Sequence, residues 1–272
     1  MQYAGQGYDS STKIRVVDAF KLFFNATVDS IGWRLGISKL GSATRLTLVQ
    51  AQELSSVRVT NLLSSFGYSN QAISTGQLQV QTQSETDDLL TALRKVETAE
   101  NGTFFIAADG DATFRDRNYR LTNTTTPDAT FGQGGGELPY VDIVTAYDDN
   151  KLLNTVQRTR TGGNTQIAID SDSVDRFGTH SLVESGTLNV SDGDALSIAS
   201  QKVVSNAIPQ TTVESISFAP QQDVNLWEKA LGLDIGSYVE AKVTTPSSDV
   251  ETYDLFIERV RHKVDARNKT WN

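Results

Sequence analysis

The chain has 272 residues, 38% hydrophobic and 21% charged, enough for two modest domains or one elongated one and not the composition of a disordered segment. Lys and Arg total 24 against 33 Asp and Glu, a net charge of −9 that disfavours a general nucleic-acid binder, which needs clustered cations. With no cysteine, disulfides, thiolate metal sites and cysteine nucleophiles are excluded, and no apolar run approaches the ~20 residues of a membrane helix.

The opening MQYAGQGYDSS lacks the basic and apolar regions of a secretory signal. Residues 13–17 read as a strand leading into a short amphipathic helix, 18–25, which offers Phe20, Phe23 and Phe24 for burial. Residues 26–47 carry no clear pattern. In 56–66, Val59, Leu62, Leu63 and Phe66 have the spacing of one helical face, and Gly67 suits the left-handed residue that ends a helix. Residues 77–81 read as a short strand. Ser84 and Asp87 have capping-box spacing for a helix that buries Leu89, Leu93 and Val96. A hairpin follows in 102–117, GTFFIAADGDATFRDR, where Asp109-Gly110 reads as a two-residue turn. Residues 121–139, LTNTTTPDATFGQGGGELP, give little to bury and read as a flexible or extended linker.

Beyond the linker the chain reads as mostly β. Residues 141–146 and 152–160 are strands separated by Asp148-Asp149-Asn150, and Gly162-Gly163-Asn164 turns the chain into 166–169. Residues 172–177 make one helical turn ended by Gly178. Ser191 and Asp194 cap a helix whose Ala195, Ala199 and Val203 recur every four residues. A strand at 213–218 and a short helix at 226–231 precede a last hairpin. There Val239, Ala241 and Val243 alternate with Glu240, Lys242 and Thr244, 246–249 turn, and 253–262 return. The predicted fold is α+β and β-rich: small mixed modules with short helices and β-hairpin or barrel-like sheets, multidomain and elongated. Residues 1–46 read as a strand–helix remnant or the end of an N-terminal domain, 47–120 as a helix–helix–hairpin module, 121–139 as the linker and 140–272 as a β-rich module.

Candidate chemistry is sparse. Asp109, Asp111 and Asp116 do not satisfy a calcium-loop pattern, and in an extended strand Asp111 and Asp116 point to opposite faces. Asp170, Asp172 and Asp175 suit a helix N-terminus better than a cation site. His180 and His262 lie far apart in sequence without a zinc-binding motif, and Ser181, adjacent to His180, faces the other way on a strand. Gly132–Gly136 lacks the Lys-Ser/Thr of a phosphate loop. Trp227 suits a core position, while Trp33 and Trp271 have no assigned role. No residue is singled out as catalytic, cofactor-binding or metal-ligating, and no cofactor is expected.

Three segments in order do carry a signature: GTFFIAADGDATFRDRNYRLTNT, ATFGQGGGELPYVDIVTAYDDNKLLNTVQRTRTGG, and LWEKALGLDIGSYVEAKV with DLFIERVRHKV. The series resembles minor tail proteins of siphophages infecting actinobacteria, a group similar to the tail-tip, or baseplate, hub proteins of tailed phages. IDSDSVDRFGTHSL, between the second and third segments, fits the same pattern. The resemblance runs from about Gln77 to the end. Relatives carry a longer β-rich N-terminal portion and continue past Lys269–Asn272, so a short member or a trimmed stretch is expected. It implies a non-enzymatic virion component at the distal end of the tail, assembled in the host cytoplasm, that helps close the tail tube and takes part in host attachment and DNA delivery. The implied partners are further copies in a homotrimeric ring, the distal tail protein, the tape measure protein and other tail-tip or receptor-binding proteins. Phage DNA would pass transiently, without stable binding, and no membrane anchor is implied. The alternatives are a receptor- or carbohydrate-binding tail module and, more remotely, a tail-associated cell-wall hydrolase.

Overall fold

A computed structural model describes residues 19–26, 48–85, 88–147, 151–244, 249–265 and 270–271. The strand expected at 13–17, the turn at 148–150, Trp33 and all but the last residue of the 246–249 turn lie outside the described residues. Helix α1 (Ala19–Asn25) is followed by β1 (Leu48–Gln50), β2 (Glu53–Leu54) and α2 (Ser55–Ser65). Strands β3 (Gln71–Ile73), β4 (Gln79–Val80) and β5 (Gln83–Glu85) lead to α3 (Leu89–Glu100). Next come β6 (Thr103–Ile106), β7 (Ala112–Arg115), the single turn α4 (Tyr119–Thr122) and β8 (Ala129–Phe131). The second half runs β9 (Asp142–Tyr147), β10 (Thr155–Arg160), β11 (Thr165–Ile169), α5 (Ser171–Phe177), β12 (Ser181–Thr187) and α6 (Asp192–Asn206). It ends with β13 (Thr211–Ser217), α7 (Val224–Gly232), β14 (Tyr238–Thr244), β15 (Val250–Phe256), β16 (Val264–Asp265) and β17 (Thr270–Trp271).

The α+β, β-rich class is what these elements form, in small sheets none of which closes among the described residues. The sheets are two- or three-stranded, with orders β3-β7-β6, β11-β10-β12, β15-β14-β8 and the pairs β1-β5, β2-β4, β9-β13 and β16-β17.

Helix α2 buries Val59, Leu62 and Leu63 and ends at Gly67, whose φ of 75° lets the Tyr68 N–H reach the Leu63 carbonyl at 2.9 Å. Helix α3 buries the expected Leu89, Leu93 and Val96, but its start is corrected. Ser84 is taken up by pairing with Val49 in the β1–β5 ladder, so the helix begins later, at Asp88, whose carboxylate accepts from the Thr91 N–H at 3.0 Å. These faces meet Phe23 of α1 and Phe104 and Phe114 of the hairpin in the largest core, each such side chain contributing roughly 1.5–3 kcal/mol of apolar burial. Leu188, from the far half of the chain, belongs to the same core.

The hairpin turn is also corrected. The Ala107 N–H bonds the Asp111 carbonyl and the Gly110 N–H bonds the Ala107 carbonyl, both at 2.9 Å, so the loop has three residues, 108–110. Only Gly110 takes positive φ, at 93°; a two-residue turn with both central residues left-handed is not formed, and Asp109 instead accepts from the Asp111 N–H at 3.0 Å.

Residues 121–139 are not a free connection. Strand β8 pairs in parallel with β14, Val239 opposite Ala129 and Ala241 opposite Phe131, and Ala129 and Phe131 are buried with Leu226 and Val239. The two buried residues of β8 are separated by one, the period of a strand with one face inward. A further core packs Val156 of β10 and Ala168 of β11 against Ala199 and Val203 of α6. That helix carries the expected capping box: Ser191 and Asp194 exchange bonds of 3.0 and 3.1 Å. Strand β15 stops at Phe256, opposite Tyr238 where β14 begins, so the expected continuation to 262 has no strand to pair with there.

Candidate functional site

Fully buried polar side chains, Arg158 and Asn189 with Glu100 beside them, gather where the two halves meet. Val156 is buried on β10, and Arg158, two residues on, lies on the same face; its guanidinium is 0% exposed. It ion-pairs with Glu184, donates to the Asn189 side-chain oxygen at 3.1 and 3.2 Å and reaches the Thr98 carbonyl at 2.6 Å. Asn189 donates to the Ala99 carbonyl at 2.9 Å, and Lys202 of α6 holds the second oxygen of Glu184 at 2.5 Å. Arg158 and Asn189 thus satisfy the orphan carbonyls at the C-terminus of α3, where a cation also complements the helix dipole. Burial pushes the Arg158 pKa down, opposed by Glu184. Glu100, one residue beyond, is buried too and accepts from Ser55 Oγ at 2.7 Å and from the Gln77 and Leu78 N–H groups at 3.0 Å. Burying such groups is tolerated when they are paired or hydrogen-bonded in this way.

The glycine-rich loop is organised around Glu137. Its carboxylate accepts from the Gly134 N–H at 2.6 Å and meets Lys242 of β14 at 3.1 Å. A Cβ on Gly132 would stand 2.0 Å from the same carboxylate, so the loop needs glycine there for close approach. The Gly134 bond and Lys242 hold Glu137 below the usual carboxylate range. At the start of α6, Arg160 at 2.5 Å similarly holds Asp192 down. On β14, the Tyr238 hydroxyl donates to Asp254 at 2.7 Å, which pushes its pKa up to about 12.

A cleft of roughly 780 Å³ runs between β13 and the 254–262 segment and is edged by Lys151, Lys229, Arg259 and Arg261 together with Glu214 and Glu258. What this lining offers is charge recognition on a sheet surface. His262 also lines it, while His180 bonds through its backbone to Asn154 and Thr155. Of the other acids named from the sequence, Asp116 accepts from Asn118 N–H and Gln77 Nε2 at 3.1 Å, and Asp170 caps α5 by accepting from the Ser173 N–H at 2.9 Å. Among the described residues no three His, Asp or Glu side chains gather as a metal site, and no helix is long and apolar enough to cross a membrane. Trp227 is a correction: Leu226 and Ala230 fill the core face of α7, and Trp227 is 38% exposed beside Val224 and Leu231.

Sequence reasoning missed Arg158, Asn189 and Glu100. The period-two relation of Val156 to Arg158 was the available signal for the first; apart from Thr187, two residues from Asn189, the partners of the other two lie 22 to 108 residues away.

No protein-family model matches the chain, and no curated protein matches its sequence. In fold it is similar to a tail protein from Neisseria meningitidis, with a TM-score of 0.52 over 85% of this chain and 67% of the other, at 9% identity. The chain shares the fold of a tail protein. Looser likenesses are to a prophage tail protein from Listeria monocytogenes (TM-score 0.44, 11% identity, 88% and 64% covered) and to a chain of the virion of a native gene transfer agent particle (0.47, 14%, 76% and 48%). The chain thus spans about two thirds of the first two proteins' lengths and about half of the third's.

Proposed function

We propose that the chain is a structural, non-enzymatic component of a bacteriophage tail, carried in the virion. The observation that supports this most is the fold shared with the Neisseria tail protein over 85% of the chain. The joint around Arg158 fits the reading, because it ties the two halves of the chain together through buried, satisfied bonds as a load-transmitting part requires.

The ordered segments from GTFFIAADGDATFRDR to DLFIERVRHKV support a finer reading. In it the chain is a minor tail protein of the tail-tip hub, three copies form a ring beneath the distal tail protein and around the end of the tape measure protein, and the ring takes part in host attachment and DNA delivery. Quantitative mass spectrometry of purified particles tests both levels. A fixed low copy number supports the tail reading, and three copies per particle the trimer. Absence from particles overturns the proposal, and six copies overturn the trimer.

A second reading, a wall-binding tail module, is favoured by the exposed stripe of Val224, Trp227 and Leu231 along α7, since an exposed indole stacks on sugar faces. Sedimentation of the protein with purified host cell walls, lost in Trp227→Ala, would support it; no sedimentation at high protein concentration would count against it.

A further inference from the structure

A second, smaller pocket of roughly 260 Å³ lies where the β6–β7 hairpin meets the turn before β14 and the end of β15. Phe105, Tyr119 and Phe256 give it an apolar floor, and Arg115, Arg117 and Arg120 stand around it. The acids beside it are already engaged: Asp116 accepts from Asn118 and Gln77, and Glu258 meets Arg120 at 3.3 Å. Arg115 stacks over the Tyr119 ring at 4.5 Å. Nε of Arg115 and both Nε and Nη1 of Arg117 are buried without a hydrogen-bond partner among the described residues. Buried guanidinium donors left in this state are costly, and both arginines are only partly buried and line the pocket, where an acceptor can meet their guanidinium groups. That two such arginines lack a carboxylate in a chain of net charge −9 points to an acceptor from outside the chain.

We propose that this pocket receives the carboxylate of an Asp or Glu side chain presented by a partner polypeptide. Three guanidinium groups against two carboxylates leave one net positive charge around it, which suits a monoanion better than a phosphate monoester. The planar guanidinium fork matches a carboxylate in two parallel bonds. The aromatic floor suits the methylene stem of an acidic side chain, and aromatics with arginine are the residues enriched at the buried centres of protein interfaces. A nucleic-acid backbone would need a run of cations along a groove, whereas the cations here gather around one pocket of roughly 260 Å³. The inference does not depend on the tail reading.

The test uses the full chain and a dye-labelled tetraglutamate peptide with acetylated and amidated ends, followed by fluorescence anisotropy. Tetraglutamine, free glutarate and inorganic phosphate are the comparison ligands. Tetraglutamate is expected to bind saturably and tetraglutamine not. Arg117→Gln is expected to weaken binding by about tenfold or more, with Arg115→Gln as the second variant should the first fail to fold. Arg176→Gln, an exposed change on α5, should leave binding unaltered. The proposal is overturned by equal binding of tetraglutamine, by an effect of Arg117→Gln under about twofold, or by no saturable binding. Glutarate binding as tightly as the peptide would make the occupant a small free acid, and phosphate displacing the peptide better than glutarate would make it a phosphate site; each overturns the polypeptide assignment.

Discussion

The unit around α2, α3 and the β6–β7 hairpin and the unit around α6 and β10–β12 solve the same packing problem in different ways. The first fills its interior with large side chains, Phe23, Leu62, Leu93, Phe104 and Phe114 among them. The second brings a helix close to a sheet over small ones, Ala168, Ala199 and Ala207 with Val156 and Val203. Less apolar area is removed from water in the second, so it leans on polar ties to its neighbours: the capped start of α6, Arg160 with Asp192, and above all Arg158 with Glu184, Asn189 and the end of α3. Apolar bulk sustains one region and placed charge the other, and the placed charge joins them beside the apolar contact of Leu188.

The contrast can be broken first at Arg158. Arg158→Ala leaves Glu184 with Lys202 alone and removes the donor to the Thr98 carbonyl, so a loss of about 4 kcal/mol is expected, the scale for breaking a buried pair. Urea melts of the variant measure it; a loss below about 1 kcal/mol would mean that the joint is ordinary surface pairing. Next comes a matched pair in the two cores. Leu93→Ala should cost about 3 kcal/mol through the cavity it leaves, and Ala199→Leu about 2 kcal/mol through overpacking. If Ala199→Leu were neutral or stabilising in the same melts, the close approach of α6 to its sheet would be wrong.

The cap of α6 gives a smaller effect: Ser191→Ala should cost about 1 kcal/mol by freeing the Asp194 N–H, and a change below a few tenths would show that the helix start frays. The smallest effect is a titration. Tyr238 has a folded-state pKa raised from 10.0 to about 12 by its bond to Asp254. A raised pKa stabilises the fold below the unfolded value and stops doing so as pH climbs through the folded one, so this contribution is intact below pH 10 and lost between about 10 and about 12. Ultraviolet phenolate titration should show a late-titrating phenol that disappears in Tyr238→Phe; an unchanged curve would contradict the assignment.

What was legible in the sequence is what is encoded within a few residues. The capping box of α6, the apolar face of α2 with Gly67 behind it, and the last hairpin rest on local spacing, and each is present. Errors arose where a distant partner decided. Ser84 has good capping spacing, yet β1 claims it as a strand residue. Residues 129–131 sit in a Thr- and Gly-rich run, yet β14, more than a hundred residues on, recruits them as a parallel strand. Strand β3, the parallel neighbour of β7, went unread for the same reason: parallel pairing has no turn signal of its own. The polar joint is harder still, because a buried arginine or asparagine is defined by its acceptors, and those of Arg158 lie on α3, β12 and the residues after it. Trp227 shows the converse, a large apolar residue placed outward because Leu226 and Ala230 already occupy the inner face of α7.

The central claim, a structural part of a phage tail, is tested most directly by an electron-microscopy reconstruction of the particle that carries this chain. The account predicts density for the fold, with its α3–Arg158 joint intact, built into the tail at a fixed copy number. A fully traced tail with no density for this chain would contradict it.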